Sequence, residues 1–190
     1  MLSRSQRFED CYLRCRAPDL HQHLCTLDLS IRQNTCDALE RTKVSRLESS
    51  LPLLAAKIRE SDERGQRRVA IAVASWATGV AHLDDVTERR SALALLRRGQ
   101  IDQILLDELF QFVEQLDEAA WSIHDAVAAG KASRDDYVAA FGRARAAAAV
   151  LFACDSNSAS AALESTYEAS VVVSEVDTLR LVVEDALGVS

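Results

Sequence analysis

Between Leu105 and Ala126 the apolar residues Leu105, Leu109, Phe112, Leu116, Ala119, Ile123 and Ala126 follow one another at steps of four and three. Steps that average about 3.5 residues keep all seven on one face of an α-helix, whereas in a strand they would scatter over both faces. The stretch therefore specifies a long packed helix. Punctuation agrees with it: six Gly and two Pro in 190 residues offer few of the turns that a sheet protein needs.

The same reading extends along the chain. Phe8, Cys11, Tyr12 and Cys15 recur at helical spacing before Ala17-Pro18 interrupts, and Leu20, Leu24, Leu27 and Ile31 mark a second amphipathic helix. Ser49-Ser50-Leu51-Pro52 reads as a boundary with a Ser cap and Pro in the next first turn, and Asp62-Glu63-Arg64-Gly65 as the end of that helix. A central helix is predicted from near Gln66 to at least Val86, with Gly99 as the furthest stop. Gly130 closes the long helix, Ser133 caps the next, and its buried stripe is Tyr137, Phe141, Ala144, Ala148 and Leu151. The Ala-rich run from Arg145 to Val150 lets another backbone come close. Asp155-Ser156-Asn157-Ser158 breaks or kinks the chain before a last segment that turns Val172, Val176, Leu179 and Val183 inward. The expected fold is all-α: an antiparallel helical bundle of about four long helices, with shorter N-terminal helices. Residues 1–63 form those short helices or an arm packed on the bundle and 64–190 the bundle, in a single domain overall.

Charge narrows the partners. Residues 1–68 carry 13 Lys and Arg against 10 Asp and Glu, and residues 69–190 carry 9 against 19. An acidic body of this kind repels phosphate backbones, so no nucleic acid is expected as a partner. The longest apolar stretches, Val69 to Ala77 and Ala146 to Cys154, fall well short of the ~20 residues of a membrane span, so no membrane partner is expected either. The first ten residues have charge but no apolar run behind them, and five cysteines are an odd number, so the expectation is a soluble cytoplasmic protein with free thiols.

One place stands out for a ligand. From Val69 to Leu83 the chain is apolar nearly all round, and Ser75, Thr78, His82 and then Asp85 form one narrow polar seam. If the helices either side of Gly99 make an antiparallel hairpin, His82 comes level with Leu116, beside Glu114 and Asp117. A carboxylate drawn inside must be paired or change its protonation, and His82 facing Asp117 would satisfy both groups. Ser75, Thr78, His82, Asp85, Glu114 and Asp117 are accordingly the candidate ligand-binding residues. A second set, Cys11, Cys15, His21, His23 and Cys25, with Cys36 nearby, holds enough soft ligands for zinc, but its spacing matches no standard finger, and core thiols are the simpler reading.

Asp84-Asp85-Val86-Thr87-Glu88, with Asn157, Ser160 and Glu164, loosely resembles the magnesium motifs of class I terpenoid synthases. The chain is much shorter than such enzymes, and Ser156 stands where Asn or Asp belongs, so the resemblance assigns no family. No Glu-x-x-His pair, Gly-rich phosphate loop or nucleophile elbow is present, and no catalytic residue or cofactor is specified. The function expected from these features is a non-enzymatic helical protein acting through protein contacts, as a homo-oligomer or with another protein. The alternative is a small-molecule- or metal-binding helical protein, or an enzyme, with its pocket around His82 and Asp117.

Overall fold

The computed structural model describes residues 45–83, 92–94, 96–99, 103–172 and 176–188. The described residues are helical with no strand, and Val44–Ser190 is one compact unit. The all-α expectation holds. In chain order the helices with defined bounds are α1 (Arg46–Ser50), α2 (Pro52–Glu60), α3 (Glu63–Val80), α4 (Gln103–Ala128), α5 (Arg134–Ala153), α6 (Ser158–Val172) and α7 (Val176–Leu187). The N-terminal short helices anticipated before residue 44, with Cys11, Cys15, His21, His23, Cys25 and Cys36, lie outside the described residues.

α3 is the hub, packed against α5, α6 and α7 and touching α2. Its sequence explains this. Val69, Ala70, Val73, Ala74 and Ala77 are fully buried, and their small side chains admit several neighbours at short range. Asp62 is its N-cap, accepting from the Gly65 N–H at 2.7 Å. Asp62 to Gly65 thus opens α3 instead of closing α2, because a short acidic side chain satisfies an orphan amide best at a helix start. The cap of α2 also differs from expectation: Pro52 occupies the first turn, but the N-cap is Leu51, without a side-chain bond.

The predicted continuation of the central helix to Val86 or beyond is corrected. α3 stops at Val80, where Leu83 N–H donates to the Thr78 carbonyl at 2.9 Å and His82 N–H to the Gly79 carbonyl at 3.1 Å. These are the two bonds of a Schellman ending, with His82 in the left-handed position at φ 52° and Leu83 buried beneath the last turn. α4 ends the same way: Lys131 donates to Ala126 and Gly130 to Val127, with Gly130 at φ 70°. Glycine announces that ending in the sequence; histidine does not.

The Ala run of α5 does admit a close neighbour. Ala146, Ala147, Ala148, Ala149 and Val150 are buried against α6, and Ser165 of α6 donates to the Ala149 carbonyl at 3.0 Å. The break before α6 is real. Asn157 caps that helix by accepting from Ser160 N–H at 2.9 Å, while Arg67 of α3 donates to the carbonyls of Ala153 and Ser156 at the end of α5. α7 turns Leu179 and Val183 inward, leaves Val172 of α6 half-buried and exposes Val176.

α4 packs chiefly on α5. Its buried line is Leu105, Leu109, Val113 and Ala120, while Phe112, Leu116, Ile123 and Ala126 are half-buried and Ala119 is exposed. The helix is rotated from the expected stripe towards the line of Val113 and Ala120, because its neighbour sits to one side.

Candidate functional site

The polar seam of α3 does not assemble into the expected pocket. Thr78 is buried, and its hydroxyl donates to the Ala74 and Ser75 carbonyls of its own helix, both at 2.9 Å. Ser75 accepts from Arg97 Nη2 at 3.2 Å at the surface. His82 is exposed at the end of α3, Glu114 is half-buried on α4, and Asp85 lies outside the described residues. Asp117 has a different partner. α4 lies chiefly beside α5, and there Asp117 meets Arg145 instead of His82.

Around that contact lies the main polar cluster of the described residues. Five charged side chains from four helices converge: Arg46 of α1, Asp117 of α4, Arg145 of α5, and Glu164 and Glu168 of α6. Arg46 Nη2 reaches Glu164 Oε2 at 2.6 Å and Glu168 Oε1 at 2.8 Å. Arg145 Nη1 reaches the other Glu168 oxygen at 3.2 Å, and its Nη2 donates to Asp117. The Glu168 side chain is only 1% exposed. Glu164 and Glu168 stand one turn apart, which places both carboxylates on the face that α1 covers.

Electrostatics follow from burial. Burial works against the charge on Arg145, but Glu168 and Asp117 outweigh it and raise its pKa above the ordinary guanidinium value. Arg46 is raised in the same way, with Glu168 and Glu164 overcoming desolvation. For Glu168 burial is the larger influence and pushes its carboxyl above the usual carboxylate range, against the pull of Arg145 and Arg46. A buried carboxylate of this kind is tolerable only while both guanidiniums stay in place.

Aromatic rings frame both arginines. Arg46 lies 4.2 Å from the Tyr167 ring centre and 5.5 Å from that of Phe152, and Arg145 lies 5.3 Å from that of Phe141. From Phe141 a ladder of rings leads outward: Tyr137 stacked at 5.7 Å, His124 edge-on at 5.2 Å, and Trp121 edge-on at 5.5 Å. Trp121 is 58% exposed. The ladder escaped sequence reading because Trp121 and His124 fall outside the strict four-and-three stripe, and Tyr137 and Phe141 look like ordinary core positions.

The cluster sets two arginines against three carboxylates, and Arg145 Nε is buried without a hydrogen-bond partner. Among the described residues no three His, Cys, Asp or Glu side chains are placed to hold a metal ion. The carboxylate of Glu164, part of the terpenoid-synthase-like pattern, is committed to Arg46, and Asn157 to its cap. Two shallow surface depressions among the described residues lie away from the cluster, one at the α2–α3 junction beside Lys57, Asp62 and Leu187, the other between Arg68, Ile71, Ser75 and Arg97. No described helix is long and apolar enough to cross a membrane. Compared with known protein families, curated proteins and solved structures, the chain matches none.

Proposed function

We propose that this chain is a non-enzymatic helical protein that acts through protein contacts, self-associating along the α4–α5 edge. The observation that carries the reading is Trp121, 58% exposed yet held edge-on by His124, which is itself fixed against Tyr137. An exposed aromatic side chain with its rotamer already restrained loses little freedom on binding and is the residue type most often found at the centre of an interface. Val138, 55% exposed on α5, is a further large apolar side chain left at the surface of this helix pair. Among the described residues α4, 26 residues long, packs chiefly on one helix, which supports a second contact along this edge.

The acidic character of α4, with six Asp and Glu and neither Lys nor Arg, is a reason to set nucleic acid aside as the partner. It also gives self-association a distinctive dependence on salt. Like-charged faces repel, so added salt should tighten the assembly by screening them. Light scattering of purified protein tests the reading: a mass above 20.9 kDa that rises with salt is expected, and Trp121→Glu or Val138→Glu should return it to the monomer. A monomer for the unaltered chain at micromolar concentration and in high salt would remove self-association.

A further inference from the structure

The charged cluster does more than fill space, because its members are shared. Glu168 is held by Arg46 from one side and Arg145 from the other, at 2.8 and 3.2 Å. Arg145 is in turn divided between Glu168 and Asp117, each taking one terminal nitrogen. α1 has only five residues, too few to be stable as an isolated helix. It is held by Leu47, fully buried, and by Arg46, whose guanidinium lies on Tyr167 and binds Glu164 and Glu168.

We propose that α1 is a latch on the bundle whose opening is coupled to the seating of α4 on α5 through the single carboxylate of Glu168. The physical reason is competition for charge at a site shielded from water. With Asp117 present, Arg145 is pulled in two directions and leaves one Glu168 oxygen to Arg46. Removing the charge of Asp117 turns the whole attraction of Arg145 onto Glu168, and the hold of Glu168 on Arg46 weakens. A movement of α4 that withdraws Asp117 has the same effect as the substitution. Among the described residues α4 is joined chiefly to one helix, α5, so a shift along that seam is the movement that would withdraw Asp117. The titratable groups facing Glu168 are Arg46, Arg145, Glu164 and, through Arg145, Asp117; Tyr167 stacks on Arg46. The coupling stands on this side-chain geometry and does not depend on what binds the α4–α5 edge.

Native-state hydrogen exchange on the full chain tests it, read at the amides of Ser49 and Leu51, which donate to the Ser45 and Leu47 carbonyls within α1. Arg46→Met should accelerate exchange at these two amides while those in the middle of α3 stay as they were. Asp117→Asn, which keeps the shape of the side chain, should accelerate the same amides by about tenfold in the unaltered background, a coupling of ordinary allosteric size. In the Arg46→Met background it should add nothing, because the shared carboxylate no longer holds α1. Asp125→Asn, on the exposed side of α4, serves as the control and should leave α1 unchanged. The coupling is overturned if Asp117→Asn leaves the α1 amides unaffected, or accelerates them equally in both backgrounds. The latch itself is overturned if Arg46→Met does not change them. Should Arg46→Met fail to fold, Arg46→Lys keeps the charge and loses the fork, and the same comparison applies.

Discussion

Glu168 on α6 and Arg145 on α5 lie 23 residues apart in sequence and meet at 3.2 Å inside the bundle. Only 1% of the Glu168 side chain and 19% of the Arg145 side chain is exposed. Deleting one partner is therefore a different experiment from neutralising the other. Arg145→Met leaves a buried carboxylate with half of its compensation and should cost about 3–5 kcal/mol. Glu168→Gln leaves both arginines paired, Arg46 with Glu164 and Arg145 with Asp117, and should cost clearly less. Urea unfolding of the two variants gives the ranking, and the reverse order would contradict the geometry.

The pH dependence of stability follows with opposite signs at two carboxylates. Burial raises the pKa of Glu168 in the folded state, so between its unfolded and folded values the folded chain binds more protons. Stability contributed there is fully present below the unfolded pKa and is lost as pH rises through the folded one. Glu48 is lowered, first by its hydrogen bond from Arg59. Its contribution is present above the unfolded pKa and is lost as pH falls through the folded one. Unfolding curves of Glu168→Gln and Glu48→Gln against the unaltered chain, from about pH 4 to pH 8, should diverge in these opposite directions. Arg145→Met should carry the Glu168 loss to higher pH, since it removes part of the pull that opposes burial.

His82 sits where a Schellman ending favours glycine, at φ 52°. A side chain with a Cβ pays roughly 1 kcal/mol in this conformation, more than glycine does. His82→Gly should accordingly raise stability by about 0.5–1 kcal/mol. A thermal melt decides the matter, and a clear loss would mean that the imidazole makes a contact the folded chain depends on.

Cys154 is buried at the end of α5, and burial pushes its thiol up to about 11. At pH 8 about one such thiol in a thousand is ionised, and the thiolate is the reactive form. In a variant whose other four cysteines are replaced by Ser, a disulfide reagent should modify Cys154 slowly in buffer and rapidly in denaturant. Equal rates would show that this end of α5 opens freely.

Much of the helical architecture could be read from local pattern. The Ser133 capping box, the glycine ending at Gly130 and the Ala run of α5 state their structure in a few adjacent residues, because helix starts, helix ends and close backbone approach depend on neighbours in the chain. The end of α3 was not readable. His82 gives no sign of a left-handed turn, and that ending exists because Leu83 finds a buried place beneath it.

The candidate site divides along the same line. That Asp117 would be drawn inward is legible in its spacing, four residues after Val113 and three before Ala120, which puts it on an apolar line of α4. Its partner is not, because pairing depends on which helix lies alongside, and α4 beside α5 is a choice among several packings of the same apolar faces. Arg46, Arg145, Glu164 and Glu168 carry no mutual spacing that announces them. They come together because four helices bury their apolar sides at once, and the charges carried inside with them can remain only by meeting one another. Local periodicity determined that this chain is helical and where most of its helices run; the packing of those helices decided which charges became neighbours.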